Sequence, residues 1–192
     1  MSDLLHTTPT VIEKRKLTEV TTLFVIRAPL VARNAAAGQF VIVRVSETGE
    51  RVPISLTDFD AGAGTITIVV QVVGRTSALI GALEEGDPVL DVAGPPGAPV
   101  PLPDDGHAVL IGGGFGAGAI LPLARELRRR RVRVSAIVGA RTAGLLILAD
   151  VLEPVCDAYH VCTDDGSLGY HGLVTGRLEE LIAAGAGFTS CF

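Results

Sequence analysis

The chain has 192 residues, enough for one large domain or two small ones, each with its own core. A hydrophobic share of 48% with 4% aromatics, carried by Ala, Val, Ile, Leu and Gly, excludes a disordered chain and suits strands and α/β units. The net charge of −5, with acidic residues scattered, lacks the basic footprint of a nucleic-acid binder. Three cysteines, Cys156, Cys162 and Cys191, are too few and too irregularly spaced for a disulfide framework or a four-thiolate metal site, which points to a reducing compartment. The N-terminus has no basic, apolar and small-residue succession, and each apolar run is interrupted before it could span a bilayer. The expectation is a cytoplasmic protein without membrane insertion.

From residue 8 to about 92, short runs rich in Val, Ile, Thr and Phe alternate with Gly and Asn turn signals. Strands are predicted over 10–16, 19–27, 39–45, 52–57, 65–73 and 88–93, with a single short helix over 76–83 ending at Gly86. Six strands and one helix predict a small closed barrel, which leaves no sheet edge exposed. The stretch GPPGAPVPLP at 94–103 holds five of the eleven prolines and ends this domain, because proline continues neither a ladder nor a helix interior. The predicted organisation is a first domain over 1–94, a proline-rich linker over 95–105 and a second domain over 106–192.

After the linker the period changes. A strand over 107–111 leads through a glycine-rich turn into a helix reaching about Arg130, then a strand over 132–138. A helix over 145–152, a strand over 159–163, a helix over 173–183 and a strand over 188–192 follow. Alternation of this kind predicts a doubly wound parallel sheet. The basic run Arg128 to Arg131, with Arg133, falls at a helix end, where cations complement the dipole.

Gly112, Gly113, Gly114 and Gly116 stand between a strand and a helix. There, glycines let the backbone approach a pyrophosphate, and the free amides of the helix start attract its charge. At the end of the next strand the usual acidic ribose ligand is replaced by Gly139, Ala140 and Arg141; the arginine suits an adenosine phosphate or the adenine face, or is a solvated loop charge. The third strand runs into Asp164 and Asp165, placed either to bond ribose hydroxyls or to make an Asx-type turn. In the first half, alternation puts Arg51, Pro53 and Ser55 on one face of a strand that also holds Val52. An arginine there can neutralise a diphosphate, and a hydroxyl two pleats along can donate to a flavin ring nitrogen, or the segment is an ordinary strand with a polar outer face. Val73, Gly74, Arg75 and Thr76 stand at a strand-to-helix junction able to offer amides to the same diphosphate.

Together these segments resemble the ferredoxin–NADP reductase superfamily, in which a flavin-binding barrel precedes a nicotinamide-binding α/β domain. Within it, the chain is similar to the small subunits of NADH-dependent reduced ferredoxin:NADP oxidoreductase and sulfide dehydrogenase, and in layout to the dihydroorotate dehydrogenase electron-transfer subunit. The motifs carrying the likeness are RVPIS at 51–55, VGRT at 73–76, GPPG at 94–97, GGGFG at 112–116, GAR at 139–141 and TDDGSLG at 163–169, in the family's order. Two departures stand out: Gly118-Ala119 replaces the usual Ala-Pro after the glycine turn, and the segments that would follow residue 192 are missing, so the chain reads as C-terminally shortened.

The resemblance implies an N-terminal antiparallel β-barrel binding FAD and an α/β domain binding NAD(P)H. Arg51 would hold the FAD diphosphate, Ser55 would face the isoalloxazine ring as the catalytic contact, and residues 74–76 would bind phosphate through their amides. Gly112 to Gly116 would cradle the nicotinamide dinucleotide. The implied function is an electron-transfer oxidoreductase subunit working between NAD(P)H, FAD and an iron–sulfur partner, either ferredoxin or a larger flavin/iron–sulfur subunit in a hetero-oligomer. The alternatives are a dihydroorotate dehydrogenase electron-transfer subunit or a shortened nucleotide-binding or assembly subunit without turnover. A [2Fe–2S] cluster is expected in full-length relatives but not on this chain, whose three cysteines do not reproduce a four-thiolate loop, and no metal ligands are assigned.

Overall fold

A computed structural model describes residues 8–192, which fall into two compact units that divide between Val100 and Pro101. In the first unit the elements run β1 (Thr10–Lys16), β2 (Thr21–Arg27), α1 (Pro29–Asn34), β3 (Phe40–Arg44), β4 (Val52–Asp60), β5 (Thr65–Gln71), α2 (Arg75–Gly81) and β6 (Asp91–Ala93). They pair antiparallel in the order β1-β2-β5-β4-β3-β6. The chain just before β6 then meets β1 through a bridge between Thr10 and Pro88 and hydrogen bonds from Val11 N–H to Asp87 and from Val89 N–H to Pro9, so the barrel closes.

Period-two alternation fills the barrel. Phe24 and Ile26 of β2, Val41 and Val43 of β3, Leu56 of β4, and Ile66, Ile68 and Val70 of β5 form one buried cluster, each side chain contributing about 1.5–3 kcal/mol of burial. The intervening residues of β4, Pro53 and Ser55, are exposed, which leaves that strand with a usable outer face.

One expectation for this unit is corrected: it has two helices, not one. Six residues make α1, with Pro29 pre-setting the backbone at its first position and Val31 and Ala32 turned into the core. Downstream, the buried Gln39 accepts from Ala36 N–H and donates from Nε2 to the Gly97 carbonyl, and Val100 N–H donates to Ala37. The proline-rich segment through Val100 is thereby fastened to the first unit, and the boundary between units falls inside the stretch read as a linker.

The second unit runs β7 (His107–Gly113), a 3₁₀ turn (Gly114–Gly116), α3 (Ala117–Arg129), β8 (Arg133–Ala140), α4 (Ala149–Leu152), β9 (Ala158–Thr163), β10 (Tyr170–His171), α5 (Val174–Ala183) and β11 (Ser190–Cys191). Its sheet is wholly parallel, in the order β10-β9-β8-β7-β11. Val109, Ile137 and Cys162 face Val174, Leu178 and Leu181 of α5. Alternate residues, among them Ala108, Leu110, Val134 and Ala136, are buried on the opposite face, where the apolar side of α3 packs through Ile120, Leu121, Ala124 and Leu127. Helices on both faces make the sheet doubly wound, as expected.

Two expectations here are corrected. The helix predicted over 145–152 shrinks to the four residues of α4, because Leu148 takes a left-handed backbone (φ 60°) and Ile147 and Leu148 are buried as a tucked segment rather than on a helical face. The last strand is two residues long, not five. His107, at the start of β7, is a satisfied core residue: its Nε2 lies 2.8 Å from Ser135 Oγ and its Nδ1 3.1 Å from the Ala186 carbonyl oxygen.

Candidate functional site

In the first unit, Arg51, Pro53 and Ser55 line up on the solvent side of β4, while Leu56 and Thr57 beyond them are buried. Ser55 is paired in register with Phe40 of β3, itself 36% exposed, so the serine hydroxyl stands beside an aromatic side chain on the outer face of the sheet. At the other end of the face, Arg51 Nη1 donates to Asp91 Oδ2 at 2.6 Å, a half-exposed pair that orients the guanidinium.

Next to this face a groove of about 670 Å³ runs between the β3–β4 connection and the segment 73–79; Ser46, Thr48, Glu50, Gly74, Arg75 and Thr76 are among its lining residues. The segment is held open by Ser77, whose Oγ accepts from the N–H groups of Val73 and Gly74 and donates to the Gly74 carbonyl. The amides of Arg75 and Thr76 lie in the first turn of α2, where no intrahelical acceptor exists. A Cβ at Gly74 would meet nothing within 4 Å, so the backbone itself faces the groove. Thr76 Oγ1 donates to Glu50 at 2.7 Å and ties the two walls together. Val73 is 81% exposed at the rim, and Val52, though part of β4, lines the groove rather than the outer face.

In the second unit the four glycines divide by role. A Cβ at Gly112 would stand 3.0 Å from the backbone of Ala117, so this glycine lets α3 start hard against β7. At Gly113, Gly114 and Gly116 a Cβ would meet nothing within 4 Å, and Gly114 has φ +53°. These three leave bare backbone facing open space, at the carboxyl end of β7 where the winding of the sheet reverses between β8 on one side and β11 on the other. That is the position at which open α/β sheets bind ligands.

Arg141 and Asp164 are exposed at the carboxyl ends of β8 and β9, brought together by hydrogen bonds from Asp164 N–H to Ala140 and from Asp165 N–H to Arg141. Asp165 is occupied: its Oδ1 accepts from Ser167 Oγ at 2.6 Å and from Ser167 N–H at 3.0 Å, which holds its carboxyl below the usual carboxylate range. Ser167 Oγ in turn accepts from Ala143 N–H, so the turn at Asp165 braces the loop that carries Arg141. The residues that the motifs did not single out, Glu50, Asp91 and Phe40, are those that hold or flank the barrel site.

No protein-family model matches the chain. It is 37% identical over 171 residues to a dihydroorotate dehydrogenase B electron transfer subunit homolog of Thermotoga maritima, covering 89% of this chain and 60% of that protein. Against the dihydroorotate dehydrogenase B electron transfer subunit of Geobacillus thermodenitrificans it is 34% identical over 177 residues, covering 89% of this chain and 68% of that subunit. Among solved structures, the NADH-dependent reduced ferredoxin-NADP oxidoreductase superposes with a TM-score of 0.86 at 35% identity, over 95% of this chain and 65% of that one. A ferredoxin NADP+ reductase from Neisseria gonorrhoeae shares the fold at a TM-score of 0.73 and 18% identity, over 96% of this chain and 82% of that one.

Barrel, doubly wound sheet and these likenesses define the ferredoxin reductase-like class of oxidoreductases. The superfamily resemblance read from the motifs therefore holds. Within the class, the chain belongs to the family of dihydroorotate dehydrogenase B electron transfer subunits. It spans 60% of the Thermotoga relative and 65% of the oxidoreductase chain. No helix among the described residues is long and apolar enough to cross a membrane.

Proposed function

We propose that the first unit holds FAD, that the second holds NAD(P)H, and that the chain relays electrons between them and an iron–sulfur partner. The observation that carries this reading is the exposed line of Arg51, Pro53 and Ser55 on β4 beside a groove walled by the backbone of 73–76. Two cations, Arg51 and Arg75, free first-turn amides and several hydroxyls form the donor set that a flavin dinucleotide's diphosphate requires. The bare glycine backbone at Gly113, Gly114 and Gly116 supports the second half of the reading in the same way.

When bound, NAD(P)H supplies a hydride and FAD releases the electron pair one electron at a time. The protein's part is positional. Arg51 would neutralise diphosphate charge and, with the amides of Arg75 and Thr76, fix the flavin's tail; the Gly74 N–H, read from the sequence as a third donor, is already given to Ser77 Oγ. Ser55 Oγ would donate a hydrogen bond to a flavin ring nitrogen and so hold the reacting ring. Gly112 seats α3 so that the turn from Gly113 to Gly116 accepts the dinucleotide's diphosphate, and Arg141 and Asp164 meet its adenosine end. No side chain has to act as a general acid or base.

The partner is ferredoxin or a larger flavin/iron–sulfur subunit, joined in a hetero-oligomer. The three free cysteines suit a reducing compartment such as the cytoplasm. Reconstitution tests the reading: the purified chain should retain one FAD, lose it on Arg51→Ala, and separately bind NADH or NADPH in equilibrium dialysis. A chain that takes up neither flavin nor nicotinamide nucleotide contradicts it.

A further inference from the structure

We propose that the first unit carries a separate anion site, a pocket for a phosphate group formed by Arg27 and Arg33 where β2, α1 and the β4–β5 hairpin meet. The pocket encloses about 150 Å³ and is lined by the two arginines, Pro29 and the hairpin turn at 61–64. Since β4 begins at the groove and ends at this hairpin, its nine residues, at about 3.3 Å each, put the two sites roughly 25–30 Å apart. The walls are fixed by the fold. Ala28 N–H donates to the Gly64 carbonyl at 2.9 Å, a Cβ at Gly64 would stand 3.1 Å from Pro29 Cβ, and Arg27 is in register with Thr65 across the β2–β5 ladder.

Arg51, Arg128, Arg130 and Arg177 each pair with a carboxylate, whereas neither Arg27 nor Arg33 has an ion-pair or hydrogen-bond partner among the described residues. Asp60 adjoins the pocket, but its Oδ1 is spent on the N–H groups of Gly62 and Ala63. Two guanidiniums therefore share one small concavity uncompensated, in a chain whose net charge is −5, and a bound anion relieves their repulsion. Size and charge select the ligand. The volume is below the roughly 300–1,000 Å³ of a drug-sized site, so the pocket takes an ionic group rather than a whole nucleotide. A phosphate monoester carries a charge of about −1.5 to −2 at pH 7 and three acceptor oxygens, enough for two planar forks at once. A single carboxylate has one charge and satisfies one fork. The phosphate is free or is the end of a small monoester whose remainder projects into solvent.

Equilibrium dialysis of the purified chain with radiolabelled inorganic phosphate, at fixed low ionic strength, tests the site. Phosphate should bind, and acetate should compete about tenfold more weakly or worse. Arg27→Ala and Arg33→Ala should each weaken phosphate binding by about tenfold or more, as loss of a charge-assisted contact requires. Their melting temperatures should not change, because both side chains are exposed. Arg33→Lys, which keeps the charge without the fork, should fall between. The phosphate that these variants lose should persist in Arg51→Ala, whose defect lies in the groove. Glycerol phosphate competing as strongly as phosphate marks the pocket as one for a monoester end, and weaker competition marks it as one for the free ion; both support the proposal. A chain that binds no phosphate, acetate competing equally, or phosphate lost in Arg51→Ala but kept in Arg27→Ala and Arg33→Ala overturns it.

Discussion

Replacing Arg51 by alanine should weaken FAD retention in two separable steps. Loss of a charge-assisted contact to a diphosphate costs roughly 1.5–3 kcal/mol, or about 10- to 150-fold in Kd. The second step comes from Asp91. Its carboxylate is paired with Arg51 at 2.6 Å in the wild type and would be left facing the diphosphate as an uncompensated negative charge. Arg51→Ala/Asp91→Asn should therefore bind FAD several-fold more tightly than Arg51→Ala alone. The pair itself is surface-lying, with side chains 53% and 34% exposed, so its removal should cost the fold no more than about 1 kcal/mol and leave the melting temperature nearly unchanged. Fluorescence titration gives the affinities and thermal melts the stability. An Arg51→Ala Kd within twofold of wild type, or a loss of binding accompanied by collapse of the melting temperature, refutes the reasoning.

Gly114→Val should reduce NAD(P)H binding at least tenfold in equilibrium dialysis while FAD stays bound, since a β-branched residue at φ +53° is strained by about 1–2 kcal/mol and its side chain enters the open space of the turn. Gly112→Ala should act differently, destabilising the second unit by about 1–3 kcal/mol in urea melts because the new Cβ presses on Ala117 backbone. Iron and sulfide analysis after anaerobic reconstitution should find substoichiometric cluster on this chain: Cys162 on β9 and Cys191 on β11 are three strand spacings apart, about 14 Å, and a cluster needs four adjacent ligands. Glu126 has its pKa lowered from 4.5 to about 2 by hydrogen bonds from Arg129 and Arg130, so its stabilisation is complete above pH 4.5 and lost as pH falls toward 2. Glu126→Gln should remove about 0.5–1 kcal/mol near neutrality and flatten that acid limb in denaturant melts between pH 2 and 6.

What was legible in the sequence follows from how local each signal is. The limits of β1 and the alternation that exposes Arg51, Pro53 and Ser55 were readable because a half-buried strand imposes period two on its own residues. The glycine turn before α3 was readable because strand, turn and helix are contiguous. Six-residue α1 was not, since one proline is too little pattern to mark a helix. The segment before α4 misled because Ile147 and Leu148 are apolar for tertiary burial rather than for a helical face. At the site, the turn role of Asp165 was open from local chemistry, whereas Asp91 and Glu50 depend on partners 40 and 26 residues away and on strand register, which no local motif carries.

The central claim, that one chain joins a flavin site to a nicotinamide site for electron transfer, is tested most directly by anaerobic titration of the FAD-loaded protein with NADH and with NADPH. Bleaching of the oxidised flavin spectrum by one equivalent of at least one of the two nucleotides, needing at least tenfold more nucleotide for the same rate in Gly114→Val, is the expected result. A flavin spectrum that stays oxidised in excess of both nucleotides would contradict the account.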